Sequence, residues 1–156
     1  MRLGKSGATL IVFWLCTVSH PAAASTSIID DSASRAIEPS VAMHWRTPIP
    51  TRGAPDNVQI GTLRVLVRLD VAQWLHRHGR IYLSLPAQPP GPIDLSWTAE
   101  GRLSSGRLHS GERRLVYAGP ITQPFIEEPF TFQFELSGAL LDRPVQVSYH
   151  FEMEED

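Results

Sequence analysis

Apolar and polar residues alternate with period two along much of the chain, most cleanly in two stretches near its end. Phe130, Phe132, Phe134 and Leu136 alternate with Thr131, Gln133 and Glu135, and Val145, Val147, Tyr149, Phe151 and Met153 alternate with Gln146, Ser148, His150 and Glu152. A pleated strand sends successive side chains to opposite faces, so each run predicts a strand with one apolar and one wet face. Ser137-Gly138 and Asp142-Arg143-Pro144 supply turn chemistry between them, which predicts two adjacent antiparallel strands joined by a short loop. Two strands cannot shield their own apolar faces, so the rest of the chain must cover them.

The same alternation recurs upstream. Val41, Met43 and Trp45 against Ala42, His44 and Arg46 predict a short first strand, closed by Pro48, Pro50 and Pro55. Val58 to Val71 is the longest strand candidate, with Leu63, Val65, Val67, Leu69 and Val71 on one face; Gly61 breaks the phase of Val58 and Ile60 and predicts a bulge. A helical turn follows, capped by Asp70, with Trp74 and Leu75 turned inward and Gly79 as its stop. Ile81, Leu83 and Leu85 mark the next strand, ended by Pro86 and the Pro89-Pro90-Gly91-Pro92 loop. Ile93, Leu95, Trp97 and Ala99 form another inward set. Glu100-Gly101 then reads as a tight turn, with Arg102 to Leu108 returning beside it. Ser110-Gly111-Glu112 is the following turn and Arg113 to Ile121 the following strand.

Seven or eight short strands with almost no helix predict an all-β fold, an antiparallel β-sandwich of immunoglobulin-like architecture, with a small closed β-barrel as the alternative. The paired cysteines of antibody domains are absent, so the likeness is architectural, and Trp97 is placed to fill the middle of such a core.

The first 24 residues change the picture of the domain. Arg2 and Lys5, an apolar run from Ala8 to Val18 and the small residues Pro21-Ala22-Ala23-Ala24 read as a secretory signal peptide, with cleavage after Ala24. The run is too short for a membrane anchor, and the large Leu15 before Cys16 departs from the small-residue box of a lipid-anchored protein. Residues 25–38, with paired Asp30-Asp31 and little periodicity, read as a flexible leader, and 39–156 as a single β-sandwich domain. Cys16 and Lys5, each the only one of its kind, leave with the signal; the remainder carries 12 arginines against 16 acids. The exported chain therefore has no disulfide or thiol chemistry, and its acidic balance argues against a nucleic-acid partner. Contact with a membrane is expected only during export.

Candidate chemistry is sparse. His76-Arg77-His78 places two imidazoles in chelating proximity, but two nitrogens are an incomplete metal site without a third ligand from His44, His109 or His150. Adjacent Glu127 and Glu128 point to opposite faces of a strand and cannot flank one bond, so they read as a solvated strand start. No serine sits in a glycine-flanked elbow, and no glycine loop is built to cradle phosphate. Arg64, Arg68, Arg102, Arg107, Arg113 and Arg114 suit cross-strand pairing with Glu100, Glu112 and Glu135, or else an acidic partner or an anionic glycan. Trp45, Trp74, Tyr82 and Trp97 would stack on sugars only from a shared exposed face.

The expectation is therefore no catalytic set, no cofactor and no metal. It is an exported, non-enzymatic binding protein that serves as an accessory or assembly component of a bacterial envelope or surface structure, in the periplasm or outside the cell. Its partner would be another envelope or secreted protein. Alternatives are a periplasmic carbohydrate- or metal-binding module and a small hydrolase on a β scaffold. In an open sandwich, the short strand Val41 to Thr47 is the edge expected to detach or to receive an incoming strand, whereas Thr62 to Val71 is guarded by Arg64, Arg68 and Asp70.

Overall fold

The computed structural model describes residues 25–37, 41–47, 57–89, 91–137 and 146–155. Its strands, in chain order, are β1 (Thr26–Ile28), β2 (Arg35–Ala36), β3 (Ala42–Trp45), β4 (Val58–Asp70), β5 (His78–Leu85), β6 (Ile93–Ala99), β7 (Gly106–His109), β8 (Glu112–Pro120), β9 (Phe125–Ser137) and β10 (His150–Glu155). They form two antiparallel sheets packed face to face: β1-β10-β5-β8, and β2-β4-β9-β6-β7 with β3 also on β4. This is a β-sandwich and not a closed barrel. The signal segment, the proline stretch at 48–56 and the connection at 138–145 lie outside the described residues.

The alternation decides which side of each strand is buried. Along β9, Ile126, Glu128, Phe130, Phe132, Phe134 and Leu136 turn inward, and Val65, Val67 and Leu69 of β4 and Ile93, Leu95 and Trp97 of β6 lie beside them. Opposite stand Ile81, Leu83, Leu85, Phe151 and Met153. The two expected terminal strands do not pair as a hairpin. β9 lies in one sheet and β10 in the other, each with its apolar face against the other's. Phe130 meets Phe151 edge to face at 6.2 Å between centroids, and Phe132 meets Tyr149 at 4.9 Å. The hydrophobic effect rewards this arrangement, because hairpin neighbours would leave both faces needing cover whereas facing strands cover each other.

β4 and β9 pair in unbroken register from Val58↔Ser137 to Asp70↔Phe125, so the expected bulge at Gly61 is absent. Gly61 is required for another reason: a Cβ there would collide with the side chains of Val41 and Met43, which lean across it from β3. Val58 and Ile60 stand half-buried on the outer face while Gly61 stays on the inward one. The register shift in the fold lies between Ile81 and Tyr82 of β5, where Val116 is the extra residue of β8 and turns into the core.

Residues 25–37 are not a detached leader. β1 pairs with β10, Ile29 is 1% exposed, Asp30 bridges Asp70, and β2 pairs with β4. One N-terminal run thus follows the edge of the first sheet and crosses to the edge of the second. Its serines and aspartates, which look loop-like in sequence, serve that crossing: Ser34 Oγ accepts the Arg68 N–H at 2.8 Å. On the opposite flank the chain passes between sheets at Ser110-Gly111, where Ser110 N–H bonds Ile93 and Gly111 N–H bonds Leu85. Gly111 adopts φ +90°, a conformation that suits glycine.

The helical turn is a 3₁₀ turn, Ala72–Trp74, with Asp70 Oδ1 accepting the Ala72 N–H at 3.0 Å and Trp74 buried. Gly79 does not end it, since β5 already begins at His78; the reversal falls at His76, with φ 67°. Glu100-Gly101 belongs to a longer loop, with β7 resuming the pairing at Gly106.

Candidate functional site

The chemically suggestive residues are dispersed by the fold. His76 and His78 are exposed beside the 3₁₀ turn, while His44, His109 and His150 stand on β3, β7 and β10. Among the described residues no three histidine, cysteine or carboxylate groups are placed to share a metal ion. Trp74 and Trp97 are core residues, and the Trp97 indole N–H donates to the Ser104 carbonyl at 2.8 Å. Trp45 belongs to the six-stranded sheet and Tyr82 to the four-stranded one, where Arg113 covers its ring at 4.4 Å. No described pair of these aromatics shares an exposed face.

The outer face of the four-stranded sheet assembles a serine, a histidine and an acid. Ser84 is the register partner of His150, and His150 Nε2 lies 2.9 Å from the Glu152 carboxylate. Burial works to raise the Glu152 carboxyl. Hydrogen bonds from His150, Arg113 and Ser84 outweigh it and leave the group below its ordinary value. The imidazole Nε2 faces the Glu152 carboxylate and no hydrogen bond joins Ser84 to the ring, so the serine and histidine are not arranged as a nucleophile–base pair. Arg113 also approaches Glu154 at 3.8 Å. The arrangement is a cross-strand charge network.

On the outer face of the six-stranded sheet, a row across the strands carries His44, Ile60, Glu135, Asp94 and His109. His109 contacts Asp94 and Arg46 contacts Glu135. The cleft beside them, lined by Asp94, Ser96, Arg107 and His109, measures about 50 Å³, room for little more than a few waters. A wider, open depression of about 360 Å³ lies by Glu100, Arg102 and Glu128.

Glu127 and Glu128 take opposite faces as expected, but only Glu127 is solvated, paired with Arg68 at 3.2 Å. Glu128 is 6% exposed and accepts the backbone N–H groups of Arg102 at 2.6 Å and Leu103 at 2.9 Å, fastening the loop between β6 and β7. It lies at an inward position of the alternation, the one sequence signal that separates it from Glu127. The expected arginine pairings also change. Glu135 is taken by Arg46, Glu112 accepts the His109 N–H at 2.8 Å, and Arg64, Arg102, Arg107 and Arg114 have no ion pair among the described residues.

What remains is the N-terminal edge. β3 pairs with β4 on one side, and no described strand lies on its other side. Val41, Met43 and Trp45, directed toward the core side, are still 36%, 38% and 38% exposed. Arg46 N–H bonds the Val58 carbonyl at 2.9 Å. By antiparallel alternation, His44 then also bonds β4, while the N–H and C=O of Met43 and Trp45 point outward. The other edges differ. β8 carries the Val116 bulge, Gly119-Pro120 and a bond from Ser104 N–H to the Val116 carbonyl. β1 spans only 3 residues, and β7, 4 residues long like β3, buries its apolar residue Leu108 and exposes no large apolar side chain. Ile28 and Leu115 are exposed, but Glu152 and Tyr82 stand between them in the same row, so they form no patch. Comparison with protein-family models, with curated proteins and with solved structures finds no match to this chain.

Proposed function

We propose that the chain is an exported, non-enzymatic binding protein, an accessory or assembly component of a bacterial envelope or surface structure, that engages another envelope or secreted protein along β3. The observation that carries this reading is the open edge itself: outward backbone groups at Met43 and Trp45 beside half-exposed Val41, Met43 and Trp45. An edge strand with free donors, free acceptors and an apolar row is the structural requirement for adding a strand from another chain. The signal-like first 24 residues support the exported setting.

The test is site-specific photo-cross-linking in cells that export the protein, with the probe at Met43 or Trp45 and, as controls, at Thr98 on β6 and Ala118 on β8. Discrete adducts from the β3 positions alone are expected. Adducts from Thr98 and Ala118 in equal yield, or none from β3, would remove the reading. Intact-mass analysis of the exported material should find Ser25 as its first residue; retention of residues 1–24 would count against export.

A further inference from the structure

We infer that the strand accepted at β3 is acidic: an extended segment of another protein in which apolar side chains alternate with carboxylates. This rests on the binding reading above and narrows it to one chemical class.

The charge distribution of the edge carries the inference. The described residues of β2, of β3 with its flanks, and of the part of β4 they pair with include Arg35, His44, Arg46 and Arg64 and no carboxylate. Arg35 and Arg64 are exposed and without an ion pair among the described residues, whereas Arg46 already contacts Glu135 of β9. Arg35 pairs in register with Leu66, two residues from Arg64 on the same outer face, and His44 pairs with Ile60 on that face as well. An added strand would therefore present its apolar side chains to Val41, Met43 and Trp45 and its alternate side chains to a cationic row. Opposite charges on directly facing strands are favourable and like charges unfavourable.

The same census argues against a second copy of this chain as the occupant. Two copies joined through β3 about a two-fold axis would set one cationic row against its duplicate. Elsewhere among the described residues Arg113 answers Glu152, Arg77 answers Glu155 at 3.0 Å, and Arg68 answers Glu127, while Arg102, Arg107 and Arg114, like Arg35 and Arg64, have no ion pair. What sets the β3 edge apart is that Arg35 and Arg64 lie in one outer-face row with His44 beside outward backbone groups and half-exposed Val41, Met43 and Trp45, with no carboxylate among the described residues of β2, β3 and the part of β4 they pair with.

The test titrates the exported chain at low and at physiological salt with three synthetic twelve-residue peptides. One alternates valine with glutamate, one valine with lysine, and one is the glutamate peptide N-methylated at every second amide. The glutamate peptide should bind at least tenfold more tightly than the lysine peptide, weaken with salt, and lose binding on methylation, because strand addition needs its N–H groups. The double variant Arg35→Glu/Arg64→Glu, at two exposed positions, should reverse the preference; should it fail to fold, Arg35→Ala/Arg64→Ala should abolish the preference. Equal affinity for the glutamate and lysine peptides, both sensitive to methylation, would overturn the acidic class and leave the binding edge standing. No binding by any peptide, with no cross-link from β3, would overturn both. A dimer in sedimentation that the glutamate peptide fails to dissociate would identify a second copy as the occupant and overturn the inference.

Discussion

β4 and β9 on one hand, and the run from β1 to β3 on the other, are strands of the same sandwich and come out opposite in character. β4 and β9 are 13 residues each and pair without a slip. Their register is determined many times over, because a shift of one residue would expose the whole aromatic row. The N-terminal run holds the same body by pieces of 3, 2 and 4 residues, and five of its large apolar side chains, Ile28, Ile37, Val41, Met43 and Trp45, stay more than a third exposed. Long uninterrupted pairing makes a rigid platform, and short pairing at its margin leaves backbone groups and apolar surface that another chain can use.

The comparison breaks most readily at the core. Phe132 is fully buried and touches the rings of Phe130, Phe134 and Tyr149. Phe132→Ala should cost about 3–5 kcal/mol in urea denaturation, whereas Met43→Ala on the edge should cost about 1 kcal/mol or less. Equal midpoints for the two variants would erase the distinction between platform and margin.

A second effect comes from Tyr149, in the facing layer. Burial, reinforced by the Asp31 carboxylate, pushes its phenol up to about 12 from 10.0. Between those values the unfolded tyrosine has lost its proton and the folded one has not, so rising pH favours unfolding. Stability should be intact below pH 10 and should fall by about 2–3 kcal/mol by pH 12 on this account. Denaturant titrations at pH 9 and pH 11.5 check it: Tyr149→Phe should lose less stability over that interval than the parent chain. An identical loss in both would detach Tyr149 from the core.

The smallest effect concerns Glu128. Glu128→Ala leaves the N–H groups of Arg102 and Leu103 without their acceptor and should cost about 1–3 kcal/mol, while Glu128→Gln keeps one oxygen and should cost less. Glu127→Ala, losing only an exposed pair, should fall within about 1 kcal/mol of the parent. The ranking is read from urea midpoints, and Glu127→Ala matching Glu128→Ala would reassign the loop's anchor.

What was legible in the sequence follows from how local each signal is. The inward sets Leu63 to Val71, Ile81 to Leu85, Ile93 to Trp97 and Phe130 to Leu136 are all read from neighbours two residues apart, and each is found half-buried or buried where expected. Sheet membership is not local. Nothing in the alternation of Phe130 to Met153 distinguishes hairpin partners from facing strands, because both bury the same side chains. The N-terminal run was hidden for the opposite reason: it buries so little, chiefly Ile29, that no period shows. Of the candidate site, Val41 to Thr47 was legible as a short edge strand. Its unguarded charge was not, because the arginines were expected to meet Glu100, Glu112 and Glu135, and cross-strand partners depend on register.

Native-state hydrogen exchange, with and without the glutamate peptide, tests the central contrast most directly. The amides of His44 and Arg46, bonded to β4 on a four-residue strand, should exchange orders of magnitude faster than those of Phe130 to Leu136. The outward amides of Met43 and Trp45 should gain protection when the peptide is added. Exchange at His44 and Arg46 as slow as in β9, with no added protection at Met43 or Trp45, would contradict a rigid platform with an accepting margin.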